Sequence, residues 1–136
     1  MRGLPFYSRT RKKREYPEAQ LQAAIVQHLF FAGAFFHSVP NERQCSVKQH
    51  ARLKANGLRK GVADLSITIN GRTHYMECKA RGEKQSEEQL AFEADCIEEG
   101  IPYACVDNID AALKVLNAWG VKALRMAMEE RERAVA

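Results

Sequence analysis

The dipeptide Asn70-Gly71 constrains this chain more than any other feature. It stands between two runs, "DLSITI" (64–69) and "RTHYMECK" (72–79), in which polar and apolar residues tend to alternate. Asn-Gly in that setting signals a two-residue β-hairpin, because both turn positions need positive φ. A two-residue loop also sets the register. Ile69 faces Arg72, Thr68 faces Thr73, Ile67 faces His74, Ser66 faces Tyr75, Leu65 faces Met76 and Asp64 faces Glu77. Side chains alternate across a strand. One face therefore carries Asp64, Ser66, Thr68, Thr73, Tyr75, Glu77 and Lys79, and the other Ala63, Leu65, Ile67, Ile69, Met76 and Cys78.

This register makes Asp64 and Glu77 neighbours, with Cβ atoms roughly 4.5–5.5 Å apart. Two carboxylates at about 5 Å repel by about 3 kcal/mol at an effective dielectric near 20. Two arrangements would relieve that repulsion. The open end of the hairpin could be exposed, with water screening the acids and Lys79 pairing with Glu77. Alternatively, a hard divalent cation could bridge the two carboxylates, with Lys79 offsetting part of the repulsion. A β-bulge would shift the register and remove the pairing.

The remaining elements follow from periodicity and punctuation. Residues 1–16 read as a basic arm, and 17–136 as a single domain, a normal size for one core. Pro17 suits the start of a helix running to about Phe31, and residues 34–39 form a short strand. One short helix is expected near 46–55, and strands at 62–69 and 72–79. Ser86 opens a helix ending at Gly100, and residues 102–106 form a strand parallel to 72–79. Asp107 or Asn108 caps a helix to about Trp119, and a last helix runs through about Glu130. The order α-β-β-β-α-β-α-α is an α/β arrangement.

Two acids and an amide sit where bland chemistry would not put them. Glu18 falls inside the apolar stripe of Leu21, Ile25 and Leu29, although the first turn of a helix also favours acids. Gln89 and Glu93 lie on the inward arc with Leu90, Phe92, Ala94, Cys96 and Ile97. Ser86-x-x-Gln89 is a capping box, which explains the type of Gln89 but not its direction. Glu93 is expected to be a half-buried polar partner.

Net charge is only +4, but it is unevenly spread. Arg11, Lys12, Lys13 and Arg14 lie in the arm, and Arg43, Lys48, Arg52, Lys54, Arg59 and Lys60 form a second basic group. Such a basic side attracts polyanions, nucleic acid first among them. No apolar run approaches a membrane span, and no secretory signal is visible, so a cytoplasmic protein is expected. Cys45, Cys78, Cys96 and Cys105 lack C-x-x-C spacing and read as buried free thiols.

Taken together, "GVADL" (61–65), "MECK" (76–79) and "SEEQ" (86–89) resemble the VRR-NUC domain, the virus-type replication-repair nuclease branch of the PD-(D/E)xK superfamily. "PEAQLQ" (17–22) is similar to that family's first helix, with Glu18 as its leading acid, and Asn41 matches a loop position where the family tends to have Asn. The resemblance covers about residues 17–106. One departure is Ala63, where the family usually has Pro; Ala63 is expected on the core face, with little effect on chemistry.

The resemblance implies a restriction-endonuclease-like αβββαβ core with a mixed central sheet and extra C-terminal helices. It implies a metal-dependent endonuclease acting on DNA, with Mg²⁺ or Mn²⁺ held by Asp64, Glu77 and the backbone carbonyl of Cys78, and with Glu18 as a further ligand. Lys79 would orient or help deprotonate the attacking water, and Gln89 would fix Lys79 or the water. Branched DNA such as four-way junctions, a homodimer, and 5′-phosphate products are also implied. The setting would be the cytoplasm of a bacterium or of a virus-infected cell. Trp119, Leu124 and Met128 are candidates for a dimer face. Two alternatives remain: a non-catalytic nucleic-acid-binding module on a nuclease fold, and a sequence-specific restriction-like nuclease.

Overall fold

The computed structural model describes residues 17–40, 46–122 and 132–135. Its elements are α1 (Pro17–Phe31), β1 (Phe35–Ser38), α2 (Val47–Ala55), β2 (Leu65–Ile69), β3 (Arg72–Cys78), α3 (Glu87–Glu98), β4 (Tyr103–Val106) and α4 (Ile109–Trp119). The expected order is present through α4, with the short helix expected near 46–55 formed as α2. The arm, Asn41, Arg43, Cys45 and the last expected helix, with Leu124 and Met128, lie outside the described residues.

The hairpin turn forms as its sequence dictates. Asn70 has φ 51° and Gly71 φ 76°, and this pair of left-handed residues matches the twist of the flanking strands. The register runs from Ile69↔Arg72 to Leu65↔Met76 without a bulge. β1 pairs antiparallel with β2, and β4 pairs parallel with β3. The sheet order is β1-β2-β3-β4, so β3 lies inside a mixed four-stranded sheet.

The two faces of the sheet carry separate cores. On one, Leu65, Ile67, Met76, Cys78 and Val106 pack with Ile25 and Leu29 of α1 and Ala112 and Leu116 of α4. Ile25 and Leu29 are one turn apart, and Leu21 extends the stripe. On the other, Ala63, Phe92 and Cys96 pack with Tyr75 and Tyr103. Asn108 caps α4 by accepting from the Ala111 N–H at 2.8 Å.

Four expectations need correction here. β2 begins at Leu65 rather than 62, so alternation does not extend to Ala63. Ala63 is buried, but under α3 beside Phe92, not on the face of Leu65 and Met76. α3 buries a narrower stripe than the arc suggested: Phe92 and Cys96 are buried, whereas Leu90 is 51% exposed and Ile97 69%. Cys105 is exposed at the sheet edge rather than buried; Cys78 and Cys96 are buried thiols. Trp119 stands against His74, ring centroids 5.0 Å apart, at the margin of the first core.

Candidate active site

Asp64 ends the loop before β2, and Glu77 lies near the end of β3. The pairing expected from the register holds one step beyond the ladder. The Asp64 backbone N–H donates to Glu77 Oε2 at 3.2 Å, and the Cys78 N–H donates to Asp64 Oδ2 at 2.8 Å. Each acid thus accepts from the other's strand. Glu77 is only 2% exposed, which removes the solvent-screened arrangement. Asp64 is half-buried.

Burial of such a pair is unfavourable for the anions. The Glu77 carboxyl is pushed up to about 8, first by burial and then by the charge of Asp64; Lys79 opposes the rise. Asp64 is raised too, mainly by burial, with the Cys78 N–H opposing it. Glu18 adds negative charge felt by both acids. Lys79 makes no direct ion pair with either acid among the described residues, so it acts through space.

Glu18 reaches the site from α1, its Oε1 accepting from the Ala80 N–H at 3.4 Å. Gln89 reaches it from α3, where one amide serves two purposes. Its Oε1 accepts from the Ser86 N–H at 2.8 Å, closing the capping box, while its Nε2 donates to Glu77 Oε1 at 2.8 Å. Gln89 therefore fixes Glu77, not Lys79: the amide nitrogen left free by the box points at the carboxylate.

Two substitutions separate these purposes. Gln89→Ala is expected to cost about 2 kcal/mol, from a weakened cap and an unpartnered Glu77 oxygen. Gln89→Glu preserves the cap but sets a carboxylate against Glu77, so its loss should grow as pH rises. Urea unfolding of both variants at pH 6 and pH 9 checks this.

Among the described residues, no three His, Cys, Asp or Glu side chains come close enough to hold an ion unaided. The donor set still suits a hard cation. It offers two carboxylates whose mutual repulsion an ion would cancel, and Mg²⁺ is commonly bound through one or two carboxylates plus water and substrate phosphate. The Cys78 side chain lies in the core, its thiol pushed up to about 12 mainly by burial.

Beside Asp64 and Gln89 opens a cleft of about 260 Å³, walled by Val39, Gly61 and Leu58. Leu58 and Arg59 also line a second concavity of about 430 Å³ with His50, Lys54 and Lys60. Lys48, Arg52 and Lys54 lie on α2, and all are exposed. Arg59 differs from them: its Nη2 pairs with Asp95 Oδ2 at 2.5 Å and its guanidinium lies 5.2 Å from the Phe92 ring centre. Sequence inspection missed Gln85 and Tyr103. Gln85 Nε2 donates to Glu93 Oε2 at 3.0 Å and to Tyr103 Oη at 3.1 Å. Tyr103 could have been found by parity, since in the parallel register it shares the Tyr75 face; Gln85 carries no signal.

An αβββαβ frame with a buried acid pair at the end of its central hairpin defines a nuclease-fold protein. No family model and no curated protein sequence matches the chain. Solved structures do. One, described as a "VRR_NUC domain protein", superposes with TM-score 0.62 at 17% identity, over 79% of this chain and 90% of that one. Another, a "VRR_NUC domain", gives 0.55 at 16% identity, over 74% and 95%. The chain has the VRR-NUC domain fold.

Proposed function

We propose that the protein is a metal-dependent endonuclease that hydrolyses DNA phosphodiester bonds. One observation carries this reading: Asp64 and Glu77 are held together at the end of the hairpin, with Glu77 buried and Lys79 two residues on, just past the end of β3. Burying two adjacent acids without use would be a standing cost to the fold. Asp64, Glu77 and the Cys78 carbonyl would hold Mg²⁺ or Mn²⁺. When bound, such an ion acidifies water and stabilises charge growing on the phosphate.

The chain's own groups supply the rest. Gln89 keeps Glu77 Oε1 engaged and so fixes the orientation of that carboxylate. Lys79 brings an ammonium to the same sheet face, where it neutralises phosphate and steadies or helps deprotonate the attacking water. Glu18 ties the chain just after Lys79 to α1 and stands ready to support a further ion or water. Lys48, Arg52, Lys54 and Lys60 give affinity for phosphate without reading bases. Among the described residues no recognition helix suggests base readout, so we favour selection of DNA shape, branched DNA and four-way junctions included. Symmetric cutting of a junction needs two sites, for which a homodimer is the simplest source.

A substrate panel tests the reading: linear, forked and four-way DNA, each with Mg²⁺, Mn²⁺ or EDTA. The expected result is cutting only with a divalent ion, best on branched DNA, and at least about 100-fold slower for Lys79→Ala with binding retained. Binding without cutting by the unmodified protein under every ion would favour the non-catalytic module. Cutting at one linear sequence would favour the restriction-like alternative.

A further inference from the structure

We propose that the segment Ala80–Gln85, between β3 and α3, is a clamp for the DNA backbone next to the scissile phosphate, with Arg81 as its contact and Glu93 as the residue that positions it. The proposal rests on the nuclease reading above and extends it to residues outside the acid–lysine set.

The segment is built as a fixed turn. The Glu83 N–H donates to the Ala80 carbonyl at 3.0 Å, and Gly82, at the third turn position, has φ 83°. That is the pattern of a type II turn, which places Arg81 at the apex. Both ends of the segment are fastened. Ala80 is held by Glu18, and the Gln85 amide forks between Glu93 of α3 and Tyr103 of β4. Glu93 and Tyr103 are half-buried, so this anchor is partly shielded from water. A connector serving only to join β3 to α3 has no need of ties to three elements.

The turn carries two cations, Arg81 and Lys84, and one acid, Glu83, and so presents a net positive charge. Arg81 and Lys84 are exposed, and neither forms an ion pair among the described residues. Arg59 is also exposed but is already satisfied by Asp95 and Phe92. Arg81 follows Lys79 by two residues, so its charge extends the one beside the acids. A guanidinium grips a phosphate through two parallel hydrogen bonds. A tight turn puts neither a helix nor a ribbon into a groove, so the contact is to backbone rather than to bases. The arrangement also gives a purpose to Glu93, the inward acid that the acid–lysine set does not use.

The test uses the full chain with four-way and linear DNA, measuring binding in EDTA across about 50–200 mM salt and cleavage with Mg²⁺. Arg81→Ala should weaken binding about tenfold, reduce the slope of log affinity against log salt by about 1, and raise KM with kcat nearly unchanged. Glu93→Ala should shift slope and KM the same way by a smaller amount, and Glu93→Gln, which keeps an oxygen for Gln85, should restore both. An unmodified protein that binds and cuts alongside an Arg81→Ala variant of equal slope and KM overturns the clamp and leaves the nuclease reading intact. Lost stability in Glu93→Ala with no change of slope overturns the positioning role. Failure of the unmodified protein to bind any DNA overturns both readings.

Discussion

Glu77→Gln is expected to abolish cleavage, by about 1,000-fold or more, and yet to make the metal-free protein more stable at alkaline pH. The first half rests on the proposed nuclease function, since one of the two carboxylates that would hold the ion is lost. The second follows from linkage. Glu77 titrates at about 8 in the folded chain against an ordinary 4.5, raised by burial and by Asp64. Between those values the folded state holds the extra proton, so stability falls as pH rises through this window. The penalty is absent below about 4.5 and complete above about 8. Asp64 shifts in the same direction and steepens the decline. Glutamine does not titrate, so the variant should lose much less stability across the window and exceed the parent at pH 9 by on the order of 3 kcal/mol. Mg²⁺ should reverse the ranking, because it can stabilise only the chain that binds it. Thermal unfolding at pH 5 and pH 9, with and without Mg²⁺, decides the matter. Parallel melting temperatures for both proteins at every pH would contradict the account.

Gly61→Ala should be the most damaging single methyl group in the described fold. Gly61 has φ 82°, and a Cβ there would fall 2.6 Å from the Gln89 backbone nitrogen and against the Glu88 carbonyl. Both are backbone of the first turn of α3, so neither can rotate away. The left-handed conformation costs an alanine about 1–2 kcal/mol, and forced separation of the loop from the helix adds about 1–3 kcal/mol. Gly57 provides the control: its φ is 98°, but nothing lies within 4 Å of a Cβ. Gly57→Ala should show the conformational cost alone, about 1–2 kcal/mol. The difference between the two in urea unfolding measures the close approach. Pushing α3 away also withdraws Gln89 from Glu77, so Gly61→Ala should lose cleavage even at temperatures where it remains folded.

The centre of the molecule was legible because local rules govern it. Asn70-Gly71 admits one turn, the turn admits one register, and the register brings Asp64 to Glu77. Gln89 betrayed itself by satisfying a cap while lying on the inward arc. The errors arise where tertiary contacts overrule periodicity. Ala63 follows strand parity on paper, but the chain leaves the strand before Leu65 and turns beneath α3. Leu90 and Ile97 look like core residues by type, yet α3 crosses the sheet along the Phe92–Cys96 line and leaves them outside. Arg59 reads as one more cation in a basic run, while its partner Asp95 lies 36 residues away. The Gln85–Glu93–Tyr103 network is equally non-local, and no spacing rule could have foreseen it.

α2 buries none of its residues, and its N-terminus is secured by its own capping box. Nine residues are too few for a helix to persist alone in water without such help. Three of its side chains are nevertheless the cations Lys48, Arg52 and Lys54. The cations proposed to hold the phosphate backbone are thus energetically detached from the core that keeps the chain folded. Charge on that helix can be added, removed or inverted over generations at almost no thermodynamic penalty, so the proposed DNA preference could drift while Glu77, locked into an interior strand, and Asp64, tied to it, stay where they are.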